Sequence, residues 1–196
     1  NDLYSKIVDV HGVIMEFGVR WGQNLVTLNN LRGIHEPFNY SRKIIGFDTF
    51  SGFENVSEKD GTHEIIKKGA FSVTDDYDKY LEEILDYHEK ECPVSHVKKN
   101  TLIKGDAVVM LEKYLKEHPE TIIAFAYFDF DVYEPTKKCL ELIKPYLTKG
   151  SIIGFDELND PQFPGETVAL REVFGTENVS IQRSKYSGIQ SFMVYE

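Results

Sequence analysis

Strands and helices alternate along this chain, and that alternation constrains its fold more than any other feature. Gly12 to Val19 (GVIMEFGV) is a short apolar run with a glycine near its end, as expected of a strand buried on both faces. Gly22 to Leu31 follows with Leu25, Leu28 and Leu31 at helical spacing, and Gly33 stands where that helix is expected to stop. The unit then recurs. Lys43 to Phe50 precedes an amphipathic helix over Asp75 to Glu91, and Thr101 to Gly105 precedes the helix Ala107 to Glu117, opened by Asp106. Ile122 to Phe130 leads to Glu134 to Leu147, a turn at Lys149-Gly150 leads to Ser151 to Phe155, and Pro164 to Phe174 makes the fifth helix. Val179 to Gln182 and Ser191 to Tyr195 read as closing strands. Five successive strand-then-helix units require a mostly parallel, seven-stranded sheet with helices on both faces, because each right-handed crossover must cover the sheet. The expected class is α/β, in one domain over residues 1–196.

Charge and cysteine usage narrow the function. The net charge of −10 over 196 residues disfavours a basic face tracking a phosphate backbone, so no nucleic-acid partner is expected. Cys92 and Cys139 are too few for a disulfide framework or a Cys-based zinc site and fit a reducing compartment, with the cytoplasm as the default. No apolar run approaches the ~20 residues of a membrane span, so no membrane partner is expected either. The glycine-punctuated Ser51 to Thr74 reads as a long loop beside the site, with the character of a lid.

Ligands of open parallel sheets bind outside the carboxyl ends of the strands, and those ends are acidic in this chain. The first strand ends Glu16-Phe17-Gly18-Val19-Arg20-Trp21-Gly22, the second with Asp48, the third with Asp106, the fourth with Asp129 and Asp131, the fifth with Asp156 and Glu157. Gly18 and Gly22 bracket a turn where backbone can approach a ligand at a helix N-terminus. Asp48 suits the two hydroxyls of a ribose. Strands four and five are expected to be neighbours, about 4.8 Å apart, which gathers Asp129, Asp156 and Glu157. Three carboxylates repel unless a cation neutralises them, and an oxygen-only set suits Mg²⁺ or a similar hard ion. Asp131, leading into a helix through Val132-Tyr133-Glu134-Pro135, is expected to cap it.

The segments EFGVRWG, GFDTF, KGDA, YFDFDVYEPT and GSIIGFDELN together resemble the class I S-adenosylmethionine-dependent methyltransferases, and within them the macrocin O-methyltransferase family of metal-dependent sugar O-methyltransferases. The resemblance covers about Gly12 to Phe174, and it implies a Rossmann-like sheet. It implies that Glu16, Gly18, Val19 and Gly22 face the methionine part of the cofactor, that Asp48 and Thr49 meet its ribose, and that Asp106 and Ala107 meet its adenine. It places a divalent metal on Asp129, Asp156 and Glu157, the last departing from the family's usual Asp, and makes Asp129 the candidate base. The acceptor it implies is a small molecule, a sugar or sugar nucleotide. Family members also carry a helical segment before the first strand that is largely absent here, so part of a lid or of a homo-oligomer interface is expected to lie outside this sequence.

Two other readings compete. Tyr133 and Lys137 have the Tyr-x-x-x-Lys spacing of short-chain NAD(P)-dependent oxidoreductases, although Pro135 lies between them and the first turn lacks G-x-G-x-x-G. A non-catalytic nucleoside-binding module of the same fold is the other. Arg20, Lys67 and Lys68 are candidates for substrate phosphates, and His63 in the long loop is the one histidine within expected reach of a substrate.

Overall fold

The computed structural model describes residues 1–196. Seven strands, β1 (Val13–Phe17), β2 (Ile44–Asp48), β3 (Asn100–Lys104), β4 (Ile123–Phe128), β5 (Leu147–Phe155), β6 (Ile181–Arg183) and β7 (Ser191–Val194), form one sheet in the order β3-β2-β1-β4-β5-β7-β6. The first five run parallel, and β7 runs antiparallel to both β5 and β6. Six helices complete the chain: α1 (Asp2–Ile7), α2 (Gln23–His35), α3 (Tyr77–Glu91), α4 (Ala107–Glu117), α5 (Tyr133–Ile143) and α6 (Gly165–Phe174). The order reverses between β1 and β4, so the crevice expected of such sheets opens at their carboxyl ends.

Period-two alternation sorts the strand residues to the two faces. Met15, Phe17, Ile45, Phe47 and Ile153 pack with α4, α5 and α6, while Ile14, Ile44 and Ile152 pack with α1, α2 and α3. At the carboxyl end of the first face one phenylalanine per strand stacks into a row, Phe47 on Phe17 at 5.2 Å, Phe17 on Phe128 at 4.7 Å and Phe128 on Phe155 at 5.6 Å. All four are buried, each contributing roughly 1.5–3 kcal/mol of transfer free energy. They give the site above them a rigid floor.

Element boundaries depart from the sequence reading where tertiary partners intervene. Gly33 does not stop α2, which runs on to His35 and ends where Glu36, followed by Pro37, turns out to bind Arg42 and Tyr4. Lys149-Gly150 is not a turn but lies inside β5, where the pairing with β4 shifts register and Gly150 takes φ +91°. The short α1 carries too little periodicity to be read from sequence. It is fastened by buried Arg42, whose guanidinium donates to the Ile7 and Val10 carbonyls at 2.9 and 2.8 Å and to both oxygens of Glu36.

Candidate active site

The turn from β1 into α2 is built around missing β-carbons and one carboxylate. Gly18 has φ +90°, and a Cβ there would stand 2.0 Å from the Asp129 carbonyl oxygen, so only glycine lets β1 and β4 close up at this level. Gly22 has φ +76° at the N-cap of α2, and its Cβ would overlap Leu81 of α3. Asp48, ending β2, ties the turn down: its Oδ2 accepts from the amides of Val19 at 2.6 Å and Arg20 at 2.7 Å, and its Oδ1 from Phe50 at 2.6 Å. The carboxylate expected to meet a ribose therefore also fixes the backbone that would face the rest of the ligand.

Gly18, Asp48, Thr49, Asp106, Ala107 and Asp129 all line one cleft of about 210 Å³ at the carboxyl ends of β1 to β4. Asp106 doubles as the N-cap of α4, accepting from Val109 N at 3.0 Å, and Thr49 donates to the Gly52 carbonyl at 3.2 Å. Gly52, Phe53, Glu54, Asn55 and Phe71, all from the loop read as a lid, form the facing wall. Phe53 and Phe71 meet edge to face at 5.2 Å, and Arg20 lies over the Phe71 ring at 4.7 Å. Arg20, Phe71 and Asp131, which line the cleft, take left-handed φ values of 47°, 62° and 60°. Backbone strain of this kind concentrates at sites whose geometry the surroundings must enforce.

Val19 and Gly22 do not line the cleft but shape its turn. Glu16 stands behind it. It is 1% exposed, and neither carboxylate oxygen has a hydrogen-bond partner. Burial, then the Asp129 carboxylate, pushes its pKa well above the usual range.

Asp129, Asp131 and Asp156 each bring a carboxylate oxygen into a group whose members all lie within 4.8 Å of one another. Burial and the neighbouring Asp156 push Asp129 up to about 8 and Asp131 up to about 6, with Arg20 as the one cation opposing the shift. Asp156 Oδ1 accepts from the Tyr127 hydroxyl at 2.9 Å and from Gln190 Nε2 at 3.0 Å. Glu157 lies beside this group rather than in it. Its Oε2 is buried without a partner, and burial followed by Asp131 and Asp156 pushes it up to about 8.

Two members of this region escaped the sequence reading. Asp131 does not cap α5; the Oδ1 of Asp60, from a short 3₁₀ turn in the long loop, accepts from the Tyr133 amide instead. Glu166, in the first turn of α6, is fully buried, and its two oxygens face the amides of Phe130 at 3.3 Å and Glu157 at 3.4 Å, linking the ends of β4 and β5. A glutamate in a first helical turn reads as an ordinary dipole partner, so nothing in the sequence marks it as buried. Tyr133 and Lys137 stay off the cleft, both bonded to Glu172, which removes the dehydrogenase pair. His63, Lys67 and Lys68 do not line it either.

No protein-family model and no curated protein matches the chain. Among solved structures, a crystal structure of CalS11, a calicheamicin methyltransferase, superposes with a TM-score of 0.96 at 46% identity, over 99% of this chain and 76% of that one. The apo structure of CalS11, a TDP-rhamnose 3'-O-methyltransferase of calicheamicin biosynthesis, matches with a TM-score of 0.86 at 42% identity, over 99% and 76%. The O-methyltransferase NovP shares the fold, with a TM-score of 0.69 at 18% identity over 98% and 77%. Fold and cleft together define a class I S-adenosylmethionine-dependent methyltransferase. Within that class the chain belongs to the O-methyltransferases, in the family of CalS11.

Proposed function

We propose that the enzyme methylates a hydroxyl of a sugar, with a divalent cation held by Asp129, Asp131 and Asp156 at the wall of the cofactor cleft. The observation that carries this reading is the trio itself, three carboxylates within 4.8 Å with a single arginine as counter-charge. Such a set is costly without a cation, and oxygen donors are the ligands that Mg²⁺ and its like select. The sugar is supported by CalS11, which acts on TDP-rhamnose. The two free cysteines, Cys92 and Cys139, support a reducing, cytoplasmic setting.

The residues also fit the cofactor. Glu16 offers two buried, unpartnered oxygens behind the Gly18 turn, suited to an ammonium group such as the methionine end carries. When bound, S-adenosylmethionine supplies an electrophilic methyl group, and the cation supplies charge that acidifies the acceptor hydroxyl. Asp48 holds the turn in place, and Asp106 and Ala107 flank the far end of the cleft. Phe53 and Phe71 exclude water from above. Asp129, the residue common to cleft and trio with Asp131, takes the acceptor proton.

The test is methyl transfer from labelled S-adenosylmethionine to TDP-rhamnose, with and without excess EDTA. Transfer that stops in EDTA while cofactor binding persists supports both parts. Full activity in EDTA overturns the cation and leaves Asp129 as a free base; cofactor binding with no transfer to any sugar overturns the acceptor.

A further inference from the structure

Glu166 is a fully buried carboxyl that the reaction proposed above does not use. It stands where β4 and β5 part. The parallel ladder between them ends with the Asp156 amide donating to the Phe128 carbonyl at 3.0 Å, and the next amide in register, that of Phe130, donates to Glu166 Oε1 at 3.3 Å instead of to β5. From the other strand the Glu157 amide donates to Glu166 Oε2 at 3.4 Å. One side chain therefore takes over from the sheet at the level of the trio, since Phe130 lies between Asp129 and Asp131 and Glu157 follows Asp156.

The first turn of α6 is shaped to bring the carboxyl there. A Cβ at Gly165 would stand 2.7 Å from the Tyr133 amide nitrogen and 3.0 Å from the Asp131 carbonyl oxygen, so glycine lets the helix press against the chain that carries Asp131. Thr167 Oγ1 accepts from the Asn159 amide at 2.8 Å, which ties the same turn to the segment after β5. The residue type follows from the two donors. A carboxyl offers an oxygen to each amide, whereas Gln has one acceptor and would set its NH₂ against the other N–H. Burying a fourth carboxyl beside three others opposes folding, so packing alone is a poor account of it. Resting on the cation proposed above, we infer that Glu166 is a positioning residue for that cation: by holding Phe130 and Glu157 it fixes the separation of Asp131 and Asp156, so that with Asp129 they converge on one ion. Groups that orient ligands in this way typically carry about 10–100-fold of a site's metal affinity.

Calorimetric titration of the S-adenosylhomocysteine-saturated protein with Mn²⁺, at a temperature below the melting transition of every variant, tests this. Glu166→Gln keeps the size and one acceptor, and Glu166→Met keeps the approximate size and no acceptor. The Gln variant is expected to bind Mn²⁺ about tenfold more weakly and the Met variant more weakly still, toward about a hundredfold, with S-adenosylhomocysteine affinity unchanged in both. Glu172→Gln, which removes an ion-paired carboxylate from the other end of the same helix, is the comparison. It is expected to lower the melting temperature and leave Mn²⁺ affinity as in the parent. Equal losses in Glu166→Gln and Glu166→Met would make the effect one of charge. Unchanged Mn²⁺ affinity in Glu166→Gln, or S-adenosylhomocysteine affinity falling in step with it, would make Glu166 a support of α6 alone. Each of these results overturns the inference and leaves the cation in place; if Glu166→Met does not fold, Glu166→Gln against Glu172→Gln decides. A parent that binds S-adenosylhomocysteine but no Mn²⁺ removes the cation itself, and the inference with it.

Discussion

The Tyr127 hydroxyl, near the end of β4, donates to Asp156 Oδ1 at the end of β5 across 2.9 Å. The hydrogen bond fixes one member of the acidic trio from the neighbouring strand, with Gln190 Nε2 as the second donor to the same oxygen at 3.0 Å. Partners of this kind orient a metal's ligands, and losing one typically lowers metal affinity about 10–100-fold. Tyr127→Phe keeps the ring packed and removes only the donor. Its expected effect is a loss of Mg²⁺ or Mn²⁺ affinity near the lower end of that range, with S-adenosylmethionine affinity unchanged, read by titrating each in turn.

Asp48 is expected to matter through the backbone as well as through the cofactor. Replacing it by Ala leaves the Val19, Arg20 and Phe50 amides without their acceptor, and hydrogen bonds to a charged group contribute about 1.5–3 kcal/mol each. Asp48→Ala should therefore weaken S-adenosylmethionine more than tenfold and also lower the melting temperature of the ligand-free protein. Asp48→Asn should keep part of the turn, since its side-chain oxygen still accepts. Equal cofactor affinity in the parent and Asp48→Ala would show that the turn does not depend on this carboxylate.

The mostly parallel seven-stranded sheet, the pairing of β4 with β5 and the acidic strand ends were legible because short apolar runs separated by amphipathic helices leave few alternatives and parallel sheets impose a rule on where ligands sit, whereas the full strand order came only from the structure. Membership of the acidic trio was less legible. Asp131, not Glu157, joins Asp129 and Asp156; it takes a left-handed φ, and Asp60 from a distant loop accepts from the first amide of α5 in its stead. Both are tertiary facts with no local signature. Glu166 shows the same limit: its burial follows from α6 packing over the ends of β4 and β5, and its local sequence is that of any helix start. Gly33 and Gly150 misled for other reasons: Gly33 has no positive φ and stays inside α2, whereas Gly150 does take φ +91° but at the register shift within β5 rather than in a turn.

A charged knot on the far side of α5 supplies a pH prediction. Glu172 accepts from Lys59 at 2.7 Å, from Lys137 at 2.8 Å and from Tyr133, and the Lys137 hydrogen bond, followed by that of Lys59, lowers its pKa to about 2. Because the folded value lies below the unfolded one, the contribution to stability is present above about pH 4.5 and is lost as pH falls toward 2. The knot is partly exposed, so salt should weaken it. Thermal melts of the parent and Glu172→Gln should differ at pH 7 and converge near pH 2; a constant gap across that window would show that ionisation of Glu172 is not what matters.

The long loop gives a dynamic expectation. Its Gly52 to Asn55 stretch and Phe71 wall the cofactor cleft, held chiefly by the Phe53–Phe71 pair and the Phe53–Ala70 and Gly69–Phe53 backbone hydrogen bonds. Cofactor in the cleft should add partners to this wall and suppress local opening. Limited proteolysis within Ser51 to Thr74 is expected to slow when S-adenosylmethionine is added. Cleavage at the same rate with and without it would mean that the loop is only a wall.

Asp129→Asn separates the two ways in which an acidic trio can contribute to the reaction. Asp129 sits in the field of Asp156 and Asp131, and that repulsion together with burial pushes it up to about 8. Exchange for Asn keeps size and polarity while removing a carboxyl that folding must either protonate or hold charged against Asp156 and Asp131, so the ligand-free protein should become more stable. For a chain of this length each 1 kcal/mol of relief raises Tm by about 2–4 °C. Adding Mg²⁺ should stabilise the parent by binding the folded state and should stabilise the variant much less, because one of three ligands has lost its charge. Turnover should fall in the variant by orders of magnitude while S-adenosylmethionine binding holds, since the Glu16 and Asp48 positions are untouched. A variant that gains stability, loses turnover and responds to Mg²⁺ as the parent does would place Asp129 outside the cation's ligands and leave it as the base alone.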